Sequence, residues 1–169
     1  MEAIHKFENY PIRIVLVSNL VSLAIYGFGF FIISRLGWSY AFFYILYILF
    51  FEYRLISRHC VNCYYWGKTC GFGKGRLSAL IFKKGESSKF CMKAMTWKDL
   101  IPDMLITLIP LTIGIVLLIL KFSFVLLAAL LLLVLLTTFG NGFIRGNLTC
   151  KYCKQYELGC PAASLFNKE

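Results

Sequence analysis

Four apolar runs, at about 14–33, 38–51, 101–120 and 122–139, dominate this chain, and within them the only charge is Asp103 near the start of the third. A hydrocarbon core of ~30 Å needs about 20 apolar residues at 1.5 Å each. In lipid a backbone must satisfy its own N–H and C=O groups, so each such run must be helical. The second run is the shortest, but it is rich in Trp and Tyr and ends in Glu52, Tyr53 and Arg54. Its ends therefore suit the headgroup layer and extend the span to about 38–54. A single run over 101–139 is too long for one crossing, so Lys121 marks a turn, as the tight link Ser34-Arg35-Leu36-Gly37 does for the first pair. The expected fold is an all-α integral membrane protein with four transmembrane helices in two tandem helical hairpins. Composition excludes the main alternatives. The chain is 59% apolar and 15% charged, where soluble domains average about 45–50% and 25%, and disorder requires low hydrophobicity.

The net charge of +10 in a soluble protein would point to nucleic acid. Here sidedness explains it, and nucleic acid is not an expected partner. Of the 18 Lys and Arg, all but Arg35 and Lys121 lie in the N-terminal tail, the 54–100 segment or the 141–169 tail. That bias places both termini and the long connection in the cytoplasm. No cleavable leader is expected, because residues 1–10 are polar and the first run is too long for a signal core. On this topology Asn147-Leu148-Thr149 faces the wrong side for glycosylation.

All seven cysteines lie outside the spans, on the side assigned to the cytoplasm. Six form two triplets of identical spacing, Cys60-x2-Cys63-x6-Cys70 and Cys150-x2-Cys153-x6-Cys160. Each triplet follows a hairpin after a polar lead carrying Arg54 or Arg145. The chain thus reads as one unit repeated in the same direction. Its parts are a tail and first hairpin (1–56), a Cys-rich, basic segment (57–100), a second hairpin (101–140) and a Cys-rich tail (141–169). Parallel repeats of two crossings bring both triplets to one membrane face.

A C-x-x-C turn can hold two thiolates on one ion, with a third ligand after six intervening residues; tetrahedral zinc, with Zn–S near ~2.3 Å, suits such a turn. Seven cysteines with His59 would supply two four-ligand sites, Cys91 being the seventh thiol. Six thiolates suffice for two zincs if two sulfurs bridge. The half-site spacing is similar to that of the fungal binuclear zinc-cluster family, which joins two such triplets. The likeness lies in spacing alone: here a membrane hairpin separates the triplets and no basic DNA-reading segment is recognisable. It implies a geometry for the metal and no function. Iron–sulfur ligation is the alternative, although its common ligand strings differ in spacing. Disulfides are disfavoured by a reducing cytosol, and a dithiol relay would need only one C-x-x-C.

After the first triplet, Gly71-Phe72-Gly73-Lys74-Gly75-Arg76 lacks Walker spacing. Its glycines are read as permitting tight turns. From Arg76 to Trp97 basic residues alternate with large apolar ones, as in an interfacial segment of one or two short helices broken at 85–88. Lys74, Arg76, Lys83 and Lys84 are the candidate contacts for an anion or an anionic lipid headgroup. Glu52 and Asp103 lie close to helix ends, where a structural role is expected. Pro110 with Gly114 suggests a kink or a close helix contact. No Ser-His-Asp set, paired-carboxylate site or H-E-x-x-H motif is visible, so no catalytic residue is assigned. The expected function is structural, as an adaptor or a subunit of a membrane complex with a metal cap, zinc first. An iron–sulfur electron-transfer protein is the alternative and a lipid-headgroup-processing enzyme the second alternative, with a small transporter behind both. Partners would be the bilayer, anionic headgroups, companion membrane subunits or a second copy of the chain.

Overall fold

The computed structural model describes residues 6–86, 90 and 97–160, with the backbone alone for 97–100. Among these the fold is helical and contains no strand. The elements are α1 (Ile12–Ser34), α2 (Trp38–Arg58), α3 (Lys74–Ile81), α4 (Trp97–Leu120) and α5 (Phe124–Leu135), with a last helical turn, α6 (Lys154–Glu157). Four stretches, Ile12–Ser34, Trp38–Asn62, Ile101–Leu120 and Phe124–Tyr152, are long and apolar enough to cross a membrane. The chain belongs to a membrane. Its spans expose side chains that water would not tolerate, among them Leu23 at 67%, Ile119 at 80% and Phe124 at 78%.

Both hairpin turns fall where the charges and glycine place them, at 35–37 and 121–123. Gly37 has φ +151°, a backbone state that side chains disfavour. The fourth helix departs from expectation. It continues past 139 through two π-helical stretches, Leu136–Gly140 and Ile144–Thr149. Hydroxyls help to loosen the ladder here: Thr137 Oγ1 donates to the Leu133 carbonyl at 2.8 Å and Thr138 Oγ1 to that of Val134 at 2.7 Å.

The chain folds as two compact units. One comprises residues 20–52 and 97–142, the other residues 1–19, 53–96 and 143–169. In the first, the membrane unit, α1 is common to two cores. Ile25 and Ile32 pack with Leu126, Ala129, Leu130 and Leu133 of α5. Ile33 packs with Ala41 and Tyr44 of α2, against Ile109 and Ile113 of α4. Gly114 provides the close contact expected of it, since a Cβ there would stand 2.6 Å from Leu130 Cδ2. Glu52 accepts a hydrogen bond from the Tyr26 hydroxyl at 2.7 Å, which fits a structural role for that carboxylate.

Candidate functional site

The second unit gathers the cysteines, and its two C-x2-C segments are built alike. Cys60–Asn62 and Cys150–Tyr152 are both 3-10 turns. The Cys63 N–H donates to the Cys60 carbonyl at 3.3 Å, and the Cys153 N–H to that of Cys150 at 3.2 Å. The residue before each turn has nearly the same dihedrals, −103°/−50° at His59 and −106°/−59° at Thr149. The second cysteine of each pair is extended, and its carbonyl accepts an N–H from three residues on, Trp66 at 3.0 Å and Tyr156 at 3.2 Å.

The turns are also tied to each other reciprocally. The Tyr64 N–H, just after Cys63, donates to Gln155 Oε1 at 2.7 Å. The Lys154 N–H, just after Cys153, donates to Tyr65 Oη at 3.0 Å. Tyr65 and Gln155 hold the same place in their triplets, two residues beyond the second cysteine, and each is only 2% exposed. Two part-buried amides, one in each turn, are thus satisfied by a side chain of the other.

The N-terminal segment threads between the turns. The Phe7 N–H donates to the Tyr152 carbonyl at 3.1 Å and the Tyr10 N–H to that of Thr69 at 2.9 Å. The Tyr65 hydroxyl donates to the Phe7 carbonyl at 2.7 Å. The Tyr10 hydroxyl reaches the Thr149 carbonyl, at the end of the π-helical stretch, at 2.5 Å. Burial, with the nearby cysteines, pushes the Tyr10 phenol well above its ordinary value. Glu8 adds an exposed ion pair with Lys154 and another with Lys68 at 3.2 Å. Its hydrogen bonds to Lys154 and Lys68, then their charges, hold its carboxyl down to about 2. A carboxylate depressed in the fold contributes stability above its ordinary value of 4.5, and that contribution is lost as pH falls through about 2. Glu8→Gln is accordingly expected to lower the apparent Tm slightly at pH 6, with the gap to the parent closing between pH 4.5 and 2. A gap that stays constant across that range would show that the pair is not responsible.

Cys63, Cys70 and Cys153 pack around one cluster with Tyr10, Val15 and Tyr65. Burial pushes the Cys63 thiol up to about 12, against a backbone hydrogen bond from Tyr65 that favours the thiolate. Burial likewise raises the Cys153 thiol, against backbone hydrogen bonds from Gln155 and Tyr156. In both turns a backbone hydrogen bond from the residue two positions on favours the thiolate, but burial outweighs it. Among the described residues, none of the six triplet cysteines forms a disulfide. Among the described residues no three Cys, His, Asp or Glu side chains stand together as a ligand group.

His59 is half-buried and its N–H donates to the Leu55 carbonyl at 3.0 Å; Cys91 lies outside the described residues. Of the four cations proposed for anion contact, Lys83 and Lys84 line a groove with Trp66 and Phe82, whereas Lys74 and Arg76 do not. The expected break at 85–88 comes earlier, because Phe82 turns extended at φ −127°, ψ 148° and packs on Tyr53; residues 87–89 and 91–96 lie outside the described residues. The glycine run is close-packed: Gly71 abuts Thr149 and Tyr10, and Gly75 abuts the carbonyls of Tyr65 and Lys68. Tyr10, Tyr65 and Gln155 escaped the sequence reading. The shared offset of Tyr65 and Gln155 from their cysteines was the one signal for them. No family model, curated protein or solved structure matches the chain.

Proposed function

We propose that the chain is a membrane protein whose two triplets hold thiolate-bound metal, zinc first, in a cytoplasmic structural cap. Its role on this reading is that of an adaptor or a subunit of a membrane complex. The observation that carries the proposal is the matched pair of C-x2-C turns, alike in dihedrals and backbone hydrogen bonding and tied to each other through Tyr65 and Gln155. The reading takes the matched turns and their equal spacing as one repeated unit. The closed thiolate chemistry fits a structural ion better than a catalytic one, which keeps an open position.

Binding must draw the sulfurs together and displace their protons, so uptake should release protons and weaken as pH falls. Elemental analysis with a visible spectrum, on protein purified anaerobically in detergent, tests the proposal. About two zinc per chain without colour is the expected result. Cys63→Ser and Cys153→Ser should each lower metal content and apparent Tm together. Full stability with unchanged metal in both variants would overturn the proposal. Iron with acid-labile sulfide would replace it with electron transfer.

A further inference from the structure

Helix α3 turns an unusual face outward. Gly75 and Ser78 are buried, whereas Leu77 is 44%, Leu80 83% and Ile81 59% exposed. Immediately after the helix come Lys83 and Lys84, both exposed. With Trp66, Leu80, Ile81 and Phe82 these lysines border an open groove of about 350 Å³. Phe82 packs edge-on against Tyr53 at 5.7 Å. Tyr53 directly follows Glu52, where the apolar run of the second span ends. The groove is thus tied, through Tyr53, to the end of the second span's apolar run. The indole N–H of Trp66 is shielded and has no hydrogen-bond acceptor among the described residues.

We infer that this groove seats an anionic phospholipid of the membrane the chain spans. The phosphate pairs with Lys83 and Lys84, and acyl carbon covers Leu80 and Ile81. Charge complementarity selects this occupant: basic side chains beside a bilayer attract anionic lipid, and Trp and exposed aliphatics are the side chains that enter the interface. The inference requires only that the chain spans a membrane. It stands or falls independently of metal in the cysteine triplets.

The test uses the full chain in detergent micelles, with quenching of tryptophan emission by brominated lipid. Dibromo-phosphatidylglycerol should quench the Trp66 emission, taken as the difference from W66F, at a mole fraction about tenfold lower than dibromo-phosphatidylcholine. K83A/K84A should abolish that preference while leaving the apparent Tm unchanged. Because W66F removes a half-buried side chain, L80N/I81N serves as a second variant and should weaken quenching by both lipids. Three results would each overturn the inference. These are equal quenching by the two lipids in the parent, a preference that survives K83A/K84A, and complete displacement of phosphatidylglycerol by inorganic phosphate.

Discussion

Gly75→Ala should disrupt the cysteine-rich unit, lowering the apparent Tm in detergent by roughly 10 °C or more. A Cβ at position 75 would collide with the carbonyl oxygen of Tyr65 and stand 2.5 Å from that of Lys68. Both obstacles are backbone, so no rotamer change relieves them. The two segments also touch directly, the Gly67 N–H donating to the Gly75 carbonyl at 3.0 Å. Overpacking usually costs about 1–3 kcal/mol, and the upper end applies where the neighbour cannot move. The lost packing would act on Tyr65, and through it on the amide of Lys154 in the other turn. Cys63 and Cys153 should then react with a thiol reagent much faster than in the parent. Gly142→Ala is the control: it is helical, with nothing within 4 Å of the added carbon, and should be neutral or slightly stabilising. Equal stability of the two variants would show that the close approach at Gly75 does not matter.

In the membrane unit the largest effect should come from Tyr44. Pro110 lies inside α4 and has no N–H, so the Ile106 carbonyl four residues earlier loses its helical donor. The Tyr44 hydroxyl replaces it, donating to that carbonyl at 2.8 Å from a side chain only 5% exposed. Gly29 of α1 makes room, since a Cβ there would collide with the hydroxyl and stand 2.9 Å from Cζ. Tyr44→Phe leaves a buried carbonyl without a donor and should cost about 1–2 kcal/mol. Gly29→Ala displaces the ring as well and should cost about 2–3 kcal/mol. Pro110→Ala restores an N–H at the position that serves Ile106. The Tyr44→Phe penalty should therefore shrink in the Pro110→Ala background, by at least ~0.5 kcal/mol of coupling. An identical penalty in both backgrounds would sink this account of the hydroxyl.

Pro110 and Gly114 were legible as a kink or close contact because a missing N–H and a missing Cβ are properties of single residues. That the missing donor would be supplied from α2 was not legible, because it depends on which face of α2 meets α4. The same limit explains the fourth helix. Its apolar run stops at 139, but the backbone stays helical to Tyr152, passing through two π-helical stretches where threonine hydroxyls loosen the ladder. At the cysteines, equal spacing was legible, and the likeness of the two 3-10 turns came from the structure. The N-terminal strap of Phe7 and Tyr10 left no trace, since two aromatics in a polar tail form no pattern.

Sequence alone determined the four spans and the positions of both hairpin turns. Those follow from local quantities, namely transfer of apolar side chains into lipid and the confinement of charge to the connections. Only the tertiary structure decided how the cysteine turns meet. The pairing of Tyr64 with Gln155 and of Lys154 with Tyr65 joins residues about ninety positions apart. A hydrogen bond over that separation is set by where the intervening hairpin returns the chain, and no spacing rule encodes it.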